Sequence, residues 1–281
     1  MNFVGVIGAG VIGCGVAQSF AMNGCEVYLN DIDEKHLEEA KKSITMNLRS
    51  IKMMNKITMQ GSIDDVLNRL HFTSKLEDLK SCKYIIENIV EDFNAKSELY
   101  KKLRKQDSEE KIYIVNTSCI PIEKLADIMQ DQGRVIGIHF MNPVPMKDTV
   151  EVIKSKYTSL ECEKSVLDLL KSINKEGLIV NDSPGFVSNR ISHLYMNEAA
   201  YLVQEGVADV ETVDDIFKKC FGHKMGPLET ADLIGIDTVV NSIKVLADYY
   251  KGDKFKCCPL LLSMVSEGKL GRKSGEGFYI Y

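Results

Sequence analysis

The 281-residue chain lacks the features that mark several classes of protein. No apolar run reaches the roughly 18 residues that cross a bilayer, and the first residues carry no charged segment of the kind that opens a signal peptide. Basic residues (35) do not exceed acidic ones (40), so the net charge of −5 does not indicate a nucleic-acid partner or an anionic membrane. Tryptophan is absent, which excludes nothing. We therefore expect a soluble, cytoplasmic protein.

Cysteine is present, but not in the patterns that bind a metal. None of the eight cysteines forms C-x-x-C, and none pairs with a histidine at zinc-finger spacing. We interpret them as reduced, mostly buried thiols of a cytosolic protein, and we expect no metal site.

Short apolar runs alternate with amphipathic stretches over the first two thirds of the chain. The candidate strands are Phe3–Ile7, Cys25–Asn30, Tyr84–Asn88, Ile112–Asn116, Val135–His139 and Leu178–Val180. Helical periodicity fills Ile12–Met22, Glu34–Met54, Ala95–Lys105, Ile122–Met129 and Leu160–Ile173. This alternation predicts an α/β fold in which helices cover both faces of a parallel sheet.

The pattern changes after the stretch VNDSPGF, residues 180–186. Long helical patterns follow, notably Ser188–Gln204 and Leu233–Tyr250. At 281 residues and 44% hydrophobic content, the chain is long enough for two domains. We predict an α/β domain over residues 1–182, an all-helical domain over residues 183–281, and a hinge at Ser183–Gly185.

A glycine-rich turn lies between the first strand and the first helix. In FVGVIGAGVIGCG, the residues Gly8, Gly10 and Gly13 form G-x-G-x-x-G, which allows a tight turn, a close approach to a pyrophosphate and close packing of the helix. Asp31 ends the second strand, near the distance of about 20 residues at which a carboxylate binds the ribose hydroxyls. No arginine follows it to accept a 2′-phosphate. These features predict binding of NAD rather than NADP.

A histidine and a glutamate follow a later strand. The run RVIGIHFMNPVP ends its apolar part at His139, and Glu151 lies at the start of another apolar stretch. A near-neutral imidazole suits removal of a hydroxyl proton during hydride transfer. A carboxylate would fix its tautomer, as in the His-Asp pair of serine proteases. The spacing is compatible with this pairing but does not require it.

Several motifs occur together in one order along nearly the whole chain: GVIGAGVIGCGVAQ, NTSC, GIHFMNPVP, SPGFVSNRI, HKMGPLETADLIGID and LGRKSGEGFYIY. In these motifs the sequence resembles the L-3-hydroxyacyl-CoA dehydrogenase family, particularly its stand-alone bacterial 3-hydroxybutyryl-CoA dehydrogenases. The resemblance implies NAD-dependent interconversion of a 3-hydroxyacyl thioester and its 3-oxoacyl form. It also implies a Rossmann-type doubly wound sheet with a helical hairpin inserted after the second strand, and an all-α C-terminal domain through which the chain forms a homodimer.

The resemblance also assigns roles to residues in the matching motifs. His139 would be the acid-base group, oriented by Glu151, while Ser118 and Asn189 would bind the 3-oxygen and the thioester carbonyl. Asn142 would lie near the nicotinamide. The predicted cofactor contacts are Gly8, Gly10, Val11, Ile12, Gly13, Asp31, Glu91, Lys96, Asn142 and Lys273.

Other positions depart from the family pattern and leave the acyl carrier open. In the stretch SITMNLRSIKMMNKITMQG, Asn47 and Met54 stand where better-known members have Ser and Lys. The nearby Arg49, Lys52 and Lys56 are candidate contacts to the carrier, together with Asn47. Cys119 replaces a second serine in NTSC, and we interpret it as a packed small residue.

The substrate loop is also more polar than is usual in the family, with Lys147-Asp148-Thr149 in place of a more apolar run. An acyl carrier protein is therefore an alternative carrier to CoA, as in relatives that oxidise glyceryl-carrier protein during polyketide extender-unit synthesis. A third alternative is a non-catalytic, structural NAD(H)-binding protein on the same fold. Its retention of Ser118, His139, Glu151 and Asn189 argues against that last reading.

Overall fold

The computed structural model describes residues 3–54, 57–106 and 111–281. The chain divides into two compact units, one that ends at Asp182 and one that begins at Ser183. Each unit contains its own cluster of buried apolar side chains. Within the described ranges, no helix has both the length and the apolar character that crossing a membrane requires.

The first unit is built on one mixed sheet. Within its described residues, eight strands form the sheet: β1 (Phe3–Ile7), β2 (Glu26–Asn30), β3 (Leu70–Thr73), β4 (Tyr84–Glu87), β5 (Ile112–Asn116), β6 (Val135–His139), β7 (Thr149–Lys154) and β8 (Glu176–Asn181). Their order is β3-β2-β1-β4-β5-β6-β7-β8, and all neighbours run parallel apart from the antiparallel pair β6 and β7. The order reverses at β1, so ligands are expected at the carboxyl ends of β1 and β4.

The helices of the first unit are α1 (Val11–Met22), α2 (Glu34–Met54), α3 (Ile63–Asn68), α4 (Phe93–Arg104), α5 (Ile122–Ala126) and α6 (Leu160–Ser172). Helix α1 is buried along most of its length, whereas α2 buries a single stripe. The apolar residues of α2 recur every three or four positions, which places them on one face. That buried stripe consists of Leu37, Ala40, Ile44, Leu48 and Ile51.

The predicted fold class is confirmed, and two short elements were not anticipated. The helical insertion after β2 contains α2 and the six-residue α3, which begins at a capping box formed by Ser62 and Asp65. The edge strand β3 follows directly. Its sequence LHFT alternates apolar and polar residues over only four positions, and only Leu70 is buried. A strand this short and this exposed carries too little periodicity to be recognised in a sequence.

Residues 183–281 form an all-helical unit. Its helices are α7 (Ser188–Gln204), α8 (Val210–Cys220), α9 (Pro227–Ile234), α10 (Ile236–Tyr250) and α11 (Pro259–Ser266). The prediction of one continuous helix over Leu233–Tyr250 is wrong at its start. Gly235 has a φ of 103°, a conformation that a helix cannot continue through, so α9 ends there and α10 begins.

Two buried aspartates fasten the last residues of this unit to its helices. Asp214 accepts hydrogen bonds from the first N–H groups of α9, at Leu228 (2.8 Å) and Glu229 (2.9 Å), and from the hydroxyl of Tyr279 (2.8 Å). Asp232 accepts from the Phe278 and Tyr279 N–H groups, both at 2.9 Å. The carboxylates therefore replace the backbone partners that this irregular segment lacks.

Candidate active site

The glycine-rich turn joins β1 to α1 and leaves room at one position. Gly8 has a φ of 98°, and a Cβ added to Gly13 would lie 1.9 Å from the Gly8 carbonyl oxygen. By contrast, apart from the two residues adjacent in the chain, no described residue comes within 4 Å of a Cβ added to Gly10. The first turn of α1 carries no acidic residue and none of the described side chains caps it. Its N–H groups and positive helix dipole therefore fit an anionic pyrophosphate.

Asp31 directly follows β2 and lies beside this turn. Its Oδ2 accepts the Ala9 N–H at 2.8 Å, and its Oδ1 accepts the Asp33 N–H at 3.0 Å. The His36 Nδ1 lies 3.4 Å from the same Oδ1, a neighbour that sequence spacing did not indicate. Oδ2 has a further lone pair for a ribose hydroxyl, and the charge of the carboxylate disfavours a 2′-phosphate.

His139 and Glu151 face each other across neighbouring strands. The antiparallel register of β6 and β7 pairs these two residues directly, and Nδ1 of the imidazole lies 2.9 Å from Oε2 of the carboxylate. Their side chains are only 9% and 11% exposed. Because Nδ1 is bound to a carboxylate, it carries a proton, and Nε2 is the nitrogen that can exchange one with a substrate.

Glu91 organises the loop that carries Ser118. Its Oε1 accepts three hydrogen bonds: from the hydroxyl of Thr117 (2.5 Å) and from the N–H groups of Ser118 (2.8 Å) and Cys119 (3.0 Å). The predicted cofactor contact thus also fixes the backbone of the NTSC motif. Cys119 is 6% exposed, in agreement with its interpretation as a packed residue.

Lys96 binds a glutamate and a backbone carbonyl group in this structure. The side chain is fully buried, and its ammonium donates to both oxygens of Glu87, at 2.7 and 2.8 Å, and to the Asn116 carbonyl oxygen at 2.8 Å. Burial raises the pKa of Glu87, and the adjacent ammonium opposes that rise. The side chain thus binds groups within the protein, and the role of Lys96 as a cofactor contact remains a prediction.

The loop between β6 and β7 is bound by the buried side chain of Lys175. Asn142 is exposed in this loop, as a residue that contacts a ligand must be. Farther along, the buried ammonium of Lys175 donates to the carbonyl oxygens of Val144 (2.8 Å) and Lys147 (2.5 Å). Burial lowers the pKa of Lys175. Neither Lys175 nor Glu87 could be recognised from the sequence, because a buried charged residue looks like a surface one until its partners are known.

The remaining predicted residues are spread over both units. In the second unit, Asn189 lies in the first turn of α7, where its carbonyl oxygen bonds to His193 Nδ1 at 2.7 Å. Lys273 pairs with Asp237 at 2.5 Å, also within that unit. The candidate carrier contacts Asn47, Arg49 and Lys52 are exposed on α2, and Lys56 lies outside the described residues. The roles of all these residues remain predictions.

Comparison with known families identifies the family of the chain. Residues 3–183 match the model of the 3-hydroxyacyl-CoA dehydrogenase NAD-binding domain, and residues 185–281 match that of the 3-hydroxyacyl-CoA dehydrogenase C-terminal domain. The chain belongs to the 3-hydroxyacyl-CoA dehydrogenase family. This confirms the resemblance seen in the sequence motifs, and it identifies the sheet unit as an NAD-binding domain of an oxidoreductase.

Alignments with similar proteins span nearly the whole length of this dehydrogenase. A probable 3-hydroxybutyryl-CoA dehydrogenase of Deinococcus radiodurans is 43% identical over 99% of each chain. The 3-hydroxybutyryl-CoA dehydrogenase of Clostridioides difficile is 39% identical over 98% of each chain. Among solved structures, the (S)-3-hydroxybutyryl-CoA dehydrogenase of Ralstonia eutropha has 35% identity and a TM-score of 0.95, and the match covers 100% of this chain and 99% of that one.

Proposed function

We propose that this dehydrogenase interconverts a short 3-hydroxyacyl-CoA, of the 3-hydroxybutyryl type, and its 3-oxoacyl form, with NAD as the redox cofactor. The observation that carries the proposal is the His139–Glu151 pair at the carboxyl end of β6, in a sheet whose first turn fits a dinucleotide. The names of relatives that span the whole chain support the choice of substrate.

The histidine and the glutamate form the acid-base pair in this proposal. In the oxidative direction, the 3-hydroxyl proton passes to Nε2 of His139, and the C3–H bond is cleaved as the carbonyl forms. Bound NAD supplies the acceptor for the hydride. The carboxylate of Glu151, with Oε2 2.9 Å from Nδ1, accepts the Nδ1 proton in a hydrogen bond and stabilises the imidazolium that results. In reduction, the same imidazolium returns its proton to the 3-oxygen.

We assign Ser118 to the 3-oxygen of the substrate. A hydroxyl close to the 3-oxygen would stabilise the charge that develops there. The three hydrogen bonds from the loop to Glu91 hold the backbone that carries this hydroxyl before the substrate binds, which limits reorganisation during the reaction. We assign Asn189 to the thioester carbonyl from the family motif alone.

Helix α2 supports a second carrier as an alternative. Arg49 and Lys52 are exposed on it, next to Met53 and Met54, which are 87% and 54% exposed. Cations beside exposed methionines fit either the phosphates and arm of CoA or the acidic surface of an acyl carrier protein. The phosphopantetheine thioester is common to both carriers, so the acid-base pair would serve either one.

We propose self-association and a cytoplasmic location as well. The helical unit exposes large apolar side chains, among them Phe221 (68%), Ile191 (64%) and Tyr249 (58%). Other apolar residues of this unit do not contribute to such a surface, because Val239, Val240, Ile243 and Leu246 of α10 are buried inside it. All eight cysteines are free thiols, as is usual in the cytoplasm.

The test compares one acyl group on two carriers. NADH oxidation is followed with acetoacetyl-CoA and with acetoacetyl-phosphopantetheinyl carrier protein over a range of concentrations. We expect saturable turnover of tens per second or more with the CoA thioester. Efficient turnover of the carrier-protein thioester alone would move the proposal to that carrier. Bound NADH without turnover of either thioester would refute both.

Substitutions on α2 locate the carrier site. Arg49→Glu should raise the KM of the preferred thioester about tenfold, because an attractive charge becomes a repulsive one, and should leave the affinity for NADH unchanged. Lys41→Glu, on the same helix and also exposed, is the matched control. Equal effects of the two substitutions would show that only the overall charge of the helix matters.

A further inference from the structure

One asparagine joins three separate parts of the candidate active site. Asn116 is the last residue of β5, at the carboxyl edge of the sheet, and its side chain is partly buried. The amide nitrogen, the amide oxygen and the backbone carbonyl oxygen each bind a different neighbour. These neighbours lead to the glycine turn, to His139 and to the Ser118 loop.

The first connection runs to the glycine turn through Asn88. The Asn116 Nδ2 donates to Oδ1 of Asn88 at 2.9 Å, and the Asn88 N–H donates to the Ile7 carbonyl oxygen at 2.7 Å. The backbone of Asn88 lies so close to the turn that a Cβ on Gly8 would come within 2.6 Å of its oxygen. The position of the turn therefore depends on that of Asn88.

The second connection runs to the acid-base pair. The Phe140 N–H donates to Oδ1 of Asn116 at 3.3 Å, and Phe140 directly follows His139. Phe140 is 4% exposed, so its N–H has little access to water. Loss of the amide oxygen would leave this donor without that acceptor and would release the backbone next to the imidazole.

The third connection runs to Ser118. The Asn116 carbonyl oxygen accepts from the buried ammonium of Lys96 at 2.8 Å, and this ammonium also lies 3.8 Å from Oε2 of Glu91. The other oxygen of Glu91 holds the Ser118 loop. Lys96 thus fixes the end of β5 and the carboxylate that orients the loop following it.

We propose that Asn116 is a positioning residue that keeps the glycine turn, His139 and the Ser118 loop in one mutual arrangement. The inference rests on the proposed function for the role of His139 and Ser118. Only an amide offers a donor and an acceptor in one plane at this distance from the backbone. An aspartate would keep the acceptor and lose the donor, and a leucine would lose both.

Three variants separate the two connections that the Asn116 side chain makes; the third connection uses the backbone carbonyl oxygen, which these substitutions retain. Asn88→Ala removes the link to the glycine turn, and should raise the dissociation constant of NADH about tenfold while kcat at saturating NADH stays within about twofold. Asn116→Leu removes both side-chain links, and should also lower kcat by about 10- to 100-fold, because small displacements of a catalytic group are costly. Asn116→Asp keeps the acceptor for Phe140, so kcat at saturating NADH should recover most of that loss.

Asn23→Ala is the matched control. This asparagine also uses its donor and its acceptor, bonding to the Ser19 carbonyl oxygen (2.9 Å) and to Asn174 (2.8 Å), but it lies at the far end of α1. It should lower thermal stability without moving NADH affinity or kcat. If the Asn116 variants change thermal stability alone, as we expect for this control, the proposal is wrong.

The readouts keep this inference separate from the proposed function. If the wild-type protein reduces acetoacetyl-CoA and the Asn116 variants match it, only the positioning role fails. If the wild type binds NADH without turnover, the proposed function fails. In that case, the NADH affinities of Asn88→Ala and Asn116→Leu still decide the link to the glycine turn: unchanged affinities in both would overturn it.

Discussion

At the scale of single residues, the chemistry of a side chain follows from its partner more than from its type. His139 becomes a candidate acid-base group because Glu151 holds its Nδ1, whereas Lys96, predicted to contact the cofactor, is fully buried against Glu87. The sequence identified the histidine because a motif and a strand end coincide there. It could not place the lysine, since burial depends on the packing of α4 against the sheet.

The buried pair gives a stability prediction with a defined pH dependence. Lys96→Met leaves Glu87 buried without its cation and should lower the free energy of unfolding by about 3–5 kcal/mol at neutral pH. Burial already raises the pKa of Glu87, and loss of the opposing ammonium raises it further. The folded variant then takes up a proton at a higher pH than the unfolded chain does. The difference in free energy of unfolding between the wild type and this variant should therefore shrink as the pH falls from neutral towards about 5.

Denaturant unfolding at several pH values measures this effect. Lys101→Met provides the control on the same helix, because Lys101 pairs with Glu98 at 2.6 Å in a largely exposed position. Exposed pairs contribute little, so this variant should unfold almost like the wild type at every pH. A Lys96→Met deficit that is small, or that grows as the pH falls, would contradict our account of the pair.

Asp31 gives a prediction for cofactor choice. Asp31→Ala removes the acceptor for the ribose hydroxyls and the charge that repels a 2′-phosphate, so it should weaken NADH binding far more than NADPH binding. Asp33→Ala, two residues on and exposed, should change neither affinity by more than about twofold. Fluorescence titration measures both cofactors. An equal loss for NADH and NADPH in the Asp31 variant would remove the basis for NAD preference.

At the scale of elements, two glycines of one turn should respond in opposite ways. A Cβ at Gly13 meets the Gly8 carbonyl oxygen at 1.9 Å, whereas one at Gly10 has no described residue within 4 Å apart from its chain neighbours. Gly13→Ala should therefore destabilise the protein. Gly10→Ala, at a φ of −71° that alanine adopts readily, should fold normally and bind NADH at least tenfold more weakly, because the methyl group fills the space that the pyrophosphate needs.

Thermal melts and NADH titrations of the two variants test this contrast directly. Normal NADH affinity in Gly10→Ala would show that the cofactor does not approach the turn there. A stable Gly13→Ala protein would show that α1 can move away from the turn without cost.

The elements themselves were largely predictable where hydrophobic periodicity was long. The ranges of β1, β5, β6, α2 and α7 agree with the structure to the residue. The edge strand β3 and the short α3 carried too few periodic positions. The break at Gly235 was missed because one glycine within an apolar pattern does not reveal a φ of 103°. The pairing of His139 with Glu151 depends on an antiparallel register that spacing only made possible.

At the scale of the whole molecule, both family models are matched, one by each unit of the chain. The exposed apolar side chains of the helical unit lead us to expect a dimer. Light scattering of the purified protein should give twice the mass of one chain at micromolar concentration, and Phe221→Asp should shift this value towards the mass of the monomer. A wild-type monomer over the whole accessible range would contradict the expectation.

The central claim is that His139 exchanges the proton in an NAD-dependent reaction of 3-hydroxyacyl thioesters. The measurement that tests it most directly is turnover of acetoacetyl-CoA by His139→Gln, with NADH affinity measured on the same sample. His71→Gln is the control. His71 also bonds to a glutamate, Glu26 at 2.7 Å, but this pair lies on β2 and the edge strand β3, away from β6. We predict a fall in kcat of about 100- to 10,000-fold with unchanged NADH affinity for His139→Gln, and no such fall for His71→Gln. Retention of kcat within about threefold by His139→Gln would contradict the account.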